Sequence, residues 1–311
     1  MIPEDFFEEM QRWLPLFESL KKRRVYFLGL IRSGIEYDPA AYKRLLPPIL
    51  AKHSHDYPEH HFIFLANNQA QSQIFDELSL ESVFINHNCL ADETLFNIAP
   101  KMEKRFDAIH NAVSAPYKRH ELAAHIKSLA IVTYLQSEYL PYFDKIASTL
   151  SHANWLNFPH DQLNKKSFNM LSSSQICAYL NQAHVGLCLS HIEGAMFASI
   201  EYMLAGLPIV STSSFGGRDV FFDPEYVTIV EADPDAVKDG VDRMLAKNLD
   251  PSIIRQSTLR KMAEHRQRFV SLIADISDKE GIKIDPQKIY VETFPSQIFK
   301  LRPLHKILST L

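Results

Sequence analysis

The placement of glycine limits most strongly what this chain can fold into. It has only nine glycines, yet Gly186, Gly194, Gly206, Gly216 and Gly217 all fall within VGLCLSHIEGAMFASIEYMLAGLPIVSTSSFGG. Backbone freedom is concentrated where close approach or unusual dihedrals are needed. The stretch reads as strand, loop, helix, stop, strand, loop. Gly206 followed by Pro208 marks a helix end, so a helix is expected from Phe197 to Ala205, with Glu193 and Gly194 in the loop at its start.

Around this window, short β-branched and aromatic runs alternate with helix-like stretches, the signature of an α/β fold with a parallel sheet. VYFLGL (25–30), HFIFLA (61–66) and SVFIN (82–86) read as strands, with helices at PAAYKRLLPPILAKH and QAQSQIFDEL between them. A fuller Rossmann-like unit follows, with strands at FDAIHN (106–111), SLAIVTYL (128–135), NWLNF (154–158), VGLCLS (185–190), LPIVSTS (207–213) and YVTIVE (226–231). A long helix runs over Ile254–Ile276. The expected division is 1–100 for a reduced N-terminal Rossmann-like domain, 101–280 for the C-terminal one, and 281–311 for a proline-broken tail that packs back on the N-terminal domain.

Composition narrows the function classes. The chain has 311 residues, 46% hydrophobic and 23% charged, with a formal net charge of -4, so no global positive field draws it to nucleic acid. The acidic start MIPEDFFEEM has no signal-peptide pattern, and no apolar run is long enough to span a membrane, which makes a cytoplasmic protein the expectation. Cys89, Cys177 and Cys188 are odd in number and lack CxxC spacing, so neither a disulfide framework nor a zinc site is expected. The 14 histidines, His53, His55, His60 and His61 among them, show no HExxH pattern and read as surface and loop residues. The cluster KKRR at 21–24 and the stripe Arg255, Arg260, Lys261, Arg266 and Arg268 read as solvated faces. The stripe leaves room for peripheral contact with the inner face of a membrane.

A strand that feeds a loop and a helix N-terminus points free backbone N–H groups at the carboxyl edge of the sheet, where α/β folds bind ligands. Residues Gly194, Ala195, Met196 and Phe197 would supply those donors to a phosphate. Glu201, in the second turn of the helix, can accept two hydrogen bonds from a vicinal diol such as a ribose. Glu193 on the loop can hold the hydroxyls of a sugar. Ser190 opens the loop. Asn111 and His110 end a strand, where ligand contact and turn hydrogen bonding are equally open readings. The loop from Gly29 to Gly34, with Arg32 and Ser33, follows the first strand and is a candidate for acceptor or phosphate contact.

Glu193 and Glu201 reproduce the E-x7-E spacing of retaining glycosyltransferases of the GT-B fold, and EGAMFASIEYMLAGLPIVSTSSFGG resembles that family's pattern (glycosyltransferase family 4-like, group 1). INHNCLADETLF (85–96) is similar to its interdomain strand and turn, and FDAIHNAVSAPYKRHEL (106–122) to the first strand and loop of its C-terminal domain. The resemblance covers about residues 85–275 and implies two Rossmann-like domains facing across a cleft. It implies hexosyl transfer from a UDP- or GDP-sugar to an acceptor hydroxyl with retention, with neither metal nor bound cofactor. The acceptor would be a glycan, lipid-linked or protein hydroxyl.

The family's roles then fall on Glu193 (donor sugar), Glu201 (ribose) and the amides of 194–197. Lys118 matches the family's diphosphate-binding lysine, which makes Glu193 and Lys118 the catalytic candidates. The family's arginine falls at Val113, and Arg119 and Arg218 are the candidates to compensate. Two other readings stay open: a protein that binds a sugar nucleotide without turnover, suggested by Val113 and the short N-terminal domain, and an epimerase or phosphorylase of the same shape.

Overall fold

The structure is a computed structural model that describes residues 10–31, 37–99, 101–158 and 166–294. After helix α1 (Leu14–Leu20), strand β1 (Val25–Leu30), helix α2 (Pro39–Asp56), strand β2 (His60–Ala66), helix α3 (Gln69–Glu77) and strand β3 (Ser82–Phe84) alternate. The three strands pair in parallel in the order β1-β2-β3. Both main helices begin where the sequence provides a cap: Asp38 accepts a hydrogen bond from the Ala41 N–H at 3.0 Å, and Asn68 from that of Gln71 at 2.8 Å.

The second sheet holds β4 (Phe106–Asn111), β5 (Leu129–Val132), β6 (Asn154–Trp155), β7 (Ala183–Cys188), β8 (Ile209–Thr212) and β9 (Val227–Val230). All pair in parallel, in the order β6-β5-β4-β7-β8-β9. Alternate residues go to opposite faces. Ala108, Leu129, Ile131, Val185 and Leu187 pack with α4 (Leu140–Thr149) and α7 (Pro234–Lys247). Ile109, Ala130, Val132 and Cys188 pack with α5 (Ser173–Asn181) and α6 (Phe197–Leu204). Burial on both faces explains why these strands read as nearly continuous apolar runs. It also corrects the expectation for histidine. His110 lies two residues beyond Ala108 on the same face and is buried, as are His53, His60, His87, His120 and His265.

Helix α8 (Pro251–Glu280) joins the two sheets. Asp250 caps its start through the Ser252 N–H at 2.8 Å, and Gly281, at φ +64°, ends it. Near the start, the Arg255 guanidinium donates to the carbonyls of Leu204 at 2.5 Å and Phe96 at 2.6 Å. Further along, Arg266 grips both carboxylate oxygens of Glu93 at 2.7 and 2.8 Å and donates to the carbonyls of Cys89 and Ala91. At the end, Glu280 accepts from Tyr26 at 2.6 Å and Arg24 at 3.1 Å, both at the start of β1. The expected solvated face is therefore corrected for the residues of α8 that turn inward. Arg255 and Arg266 are structural ties, as is Lys261, which reaches Asp223 at 3.1 Å; Arg24, Arg260 and Arg268 are exposed. No helix among the described residues is long and apolar enough to cross a membrane.

The segment past Gly281 forms α9 (Pro286–Thr293), whose buried Tyr290 meets Phe269 of α8 with ring centroids 5.7 Å apart. The rest of the expected tail, the 32–36 part of the first loop (Arg32, Ser33 and Gly34 included) and the opening residues 1–9 lie outside the described residues.

Candidate functional site

In the second sheet β4 and β7 are neighbours, with β5 and β6 on one side and β8 and β9 on the other. The chain order reverses between them, so the loops leaving their carboxyl ends diverge, which is where doubly wound sheets open a crevice. A cleft of about 760 Å³ lies there, lined from the β4 loop by Asn111, Val113, Tyr117 and Lys118, and from the β7 loop and α6 by Glu193–Ala198 and Glu201. Tyr134, past the end of β5, and His87, in the crossover between the sheets, complete the wall.

The loop carrying Glu193 is held by the glycine pair at 216 and 217. The Glu193 N–H donates to the Phe215 carbonyl at 2.9 Å, and the Phe215 N–H to the His191 carbonyl at 2.9 Å. The Gly217 N–H donates to the Gly194 carbonyl at 2.6 Å. Gly216 sits at φ +109°, and a Cβ there would lie 1.4 Å from the Glu193 carbonyl oxygen. Only a residue without a side chain permits this approach. Behind it, Asn86 of the crossover donates to the carbonyls of Asn67 and Gly217, at 2.7 Å each, stitching the first sheet to this loop.

Within the cleft, the Lys118 ammonium donates to the Glu193 carboxylate, each side chain being 11% exposed. The N–H groups of Gly194, Ala195 and Met196 make no hydrogen bond among the described residues and precede the helix start at Phe197. They leave an anion-binding row of donors at the positive end of α6. Phe197 stands at the rim, its ring 5.5 Å from that of His87. One helical turn deeper, Glu201 lies at the floor. Burial pushes its carboxyl up to about 7, and the Asn111 side-chain amide donates to it at 3.4 Å. The Asn111 N–H donates to the Tyr202 hydroxyl at 2.7 Å, which fixes the end of β4 against α6.

Three sequence candidates lie elsewhere. Ser190 is fully buried beneath the loop, its carbonyl accepting from Arg218 at 2.9 Å. Arg218 is itself fully buried and also donates to the carbonyls of Cys188 at 3.1 Å and Thr212 at 2.6 Å and to Asp219 at 2.6 Å. Arg119 donates to the Leu189 carbonyl and the Thr212 hydroxyl, both at 2.6 Å, and burial together with the nearby Arg218 charge lowers its pKa. Both guanidiniums turn to the carbonyl ends of β7 and β8, so neither brings a charge to Val113. Tyr117 and Tyr134 are cleft residues that the sequence reading did not single out, and His87, expected only as part of the crossover, lines the cleft as well.

The family described as glycosyl transferases group 1 matches residues 161–266, a span that holds Glu193, Glu201 and Arg218 but not Lys118. No curated protein matches the chain. Among solved structures, sucrose-phosphate synthase from Thermosynechococcus elongatus superposes with a TM-score of 0.58 at 15% identity, covering 81% of this chain and 66% of that one. The chain thus spans just under two thirds of the synthase. HepE from Anabaena, in complex with UDP-glucose, superposes with a TM-score of 0.53 at 11% identity, covering 96% of this chain and 81% of that one. TarM from S. aureus gives 0.52 at 18% identity, covering 79% of this chain and 50% of that one. The fold is GT-B, two Rossmann-like units across a cleft, the first reduced, with three strands among the described residues. The family match supports glycosyl transfer as the class of reaction.

Proposed function

We propose that the cleft binds a nucleotide-sugar, UDP- or GDP-linked, and that the chain transfers its hexosyl unit to an acceptor hydroxyl with retention and without metal or bound cofactor. The observation that carries this reading is the order of groups along the β7 loop and α6: a lysine-paired carboxylate, free amides, then a half-buried carboxylate whose pKa desolvation raises. Glu193 would hold the sugar, the amides and Lys118 the diphosphate, and Glu201 the ribose diol. The bond from C1 to the diphosphate breaks with its electron pair on the leaving oxygen. The acceptor oxygen bonds to C1, and its proton passes to a phosphate oxygen. HepE was crystallised with UDP-glucose, so that donor is the first to test.

Glu201→Ala should weaken nucleotide binding about 10–100-fold, the scale of charged hydrogen bonds. Glu193→Ala should leave binding nearly intact and lower turnover about 100-fold. Calorimetry with UDP and initial rates with UDP-glucose check both, and unchanged values in the two variants would remove the site assignment. A second check is pH. The Glu201 carboxyl titrates near 7, and only its ionised form accepts both diol hydrogen bonds. Donor affinity should therefore rise roughly tenfold from pH 6 to 8, as one group passes from mostly protonated to mostly ionised. Glu201→Gln should flatten that slope.

Val113 favours a second reading, a protein that binds the donor without turnover. It is aliphatic and lines the wall, while Arg119 and Arg218 are tied to backbone carbonyls. Release of free nucleotide from UDP- or GDP-sugars, followed with and without acceptors, separates the two: binding with no release favours the second.

A further inference from the structure

Lys118 is the one cationic side chain lining the cleft among the described residues, and it already faces Glu193. A leaving nucleoside diphosphate carries more negative charge than one lysine offsets, and the row of free amides lies on the α6 side only. On the opposite wall, Tyr117 and Tyr134 flank Val113. Tyr134 is tied to that loop by its backbone: its carbonyl accepts from the Ser114 N–H at 3.2 Å and the Ser114 hydroxyl at 3.3 Å. Tyr117 bridges the two loops, its carbonyl accepting from the His191 N–H at 3.2 Å, and its ring lies 5.2 Å from the Lys118 ammonium. Neither phenol group makes a hydrogen bond among the described residues, although both rings line the cleft. Two phenols without a partner in the described protein, Tyr117 half-buried and Tyr134 47% exposed, thus line the cleft with the aliphatic Val113, the first of them beside the lysine.

We propose that the Tyr117 and Tyr134 hydroxyls donate hydrogen bonds to the diphosphate of the donor as its bond to the sugar breaks, making them further catalytic residues. The inference rests on the donor-site reading above. The phenols donate hydrogen bonds and keep their protons; the electron pair goes to the leaving phosphate oxygen, and the only proton transferred is the acceptor's. Burial and the negative field of Glu193 hold both phenols protonated, Tyr117 being pushed up to about 12. A neutral donor also suits this wall physically. A second cation there would compete with Lys118 for Glu193, whereas phenols leave that pair undisturbed.

Tyr117→Phe, Tyr134→Phe and the double variant isolate the hydroxyls, because phenylalanine keeps the ring and any stacking on the base. With melting temperatures matched to the parent, each single variant should lower turnover of UDP-glucose about tenfold and the double variant about 100-fold, as expected for one and two hydrogen bonds to a charged group. UDP binding should weaken in the double variant while uridine binding stays constant. A UDP-to-uridine affinity ratio that is the same in parent and double variant overturns the proposal alone. A parent protein that binds neither UDP nor GDP overturns the donor-site reading with it.

Discussion

Lys118→Ala is expected to lower turnover of a nucleotide-sugar by about 10²–10³-fold, the scale of losing one preorganised group that faces developing charge. The side chain's hydrogen bond is to Glu193, in a cleft where each member of the pair is 11% exposed. Removing the ammonium therefore withdraws charge from the diphosphate position and leaves the Glu193 carboxylate without its partner. The second effect adds to the loss, because an unpaired, partly buried carboxylate repels the incoming phosphates. Lys118→Arg should recover part of the rate, since it returns the charge on a different geometry. Steady-state rates with UDP-glucose, alongside uridine binding as a check on the rest of the pocket, measure this. A Lys118→Ala protein within threefold of the parent would show that the lysine serves only to place Glu193.

The second large effect is loss of the fold in mild acid. Burial lowers the pKa of His53 and His265 to about 4 and that of His120 to about 3, and lowers His60 and His110 as well. His53 and His60 share a hydrogen bond of 3.0 Å, and His110 and His120 lie with ring centroids 4.4 Å apart, so a proton on one ring is opposed by the other. The unfolded chain, whose histidines titrate near 6.5, binds more protons than the folded one throughout this range. Stability is complete above about pH 6.5 and falls as pH drops toward 4. Each tenfold loss of proton affinity on folding is worth about 1.4 kcal/mol, so a few such rings approach the roughly 5–15 kcal/mol that holds a typical domain together. Glu201, whose carboxyl is raised to about 7, works in the opposite direction with one group. Melting temperature should therefore fall steeply between pH 6.5 and 4.5, above the range where ordinary carboxylates titrate. A flat profile there would mean that these rings are solvated.

Much of the architecture around the cleft was legible because local chemistry dictates it. Apolar runs marked the strands, and the glycine spacing marked the loop that approaches Gly216. Gly206, at φ +76° with Pro251 against it, ends α6 at Leu204, one residue short of the expected Ala205. What escaped depends on partners distant in the chain. Arg255 and Arg266 look like a solvated stripe until α8 is laid across carbonyls more than 150 residues earlier. Arg119 and Arg218 were expected at the correct sheet edge, but the direction of a guanidinium is fixed by which carbonyls it finds. Tyr134 was hidden inside a strand expected over 128–135; β5 stops at Val132, and the freed residue turns into the cleft. His87 enters it only because the crossover brings the first sheet over α6.

The position of α8 has a consequence for dissecting the chain. One apolar cluster contains Ile63 and Leu65 of β2, Leu90 and Phe96 of the crossover, Met203 of α6, and Met262 and Phe269 of α8. A boundary drawn near residue 100 separates two sheets but cuts through a single oily interior, with α8 serving as its common wall. Each sheet also buries a cluster of its own, around Phe64 and Phe75 in the first and around Leu129 and Val237 in the second. The shared cluster couples the two lobes, and shuffling one onto a different partner lobe would have to bring the matching face of the helix with it.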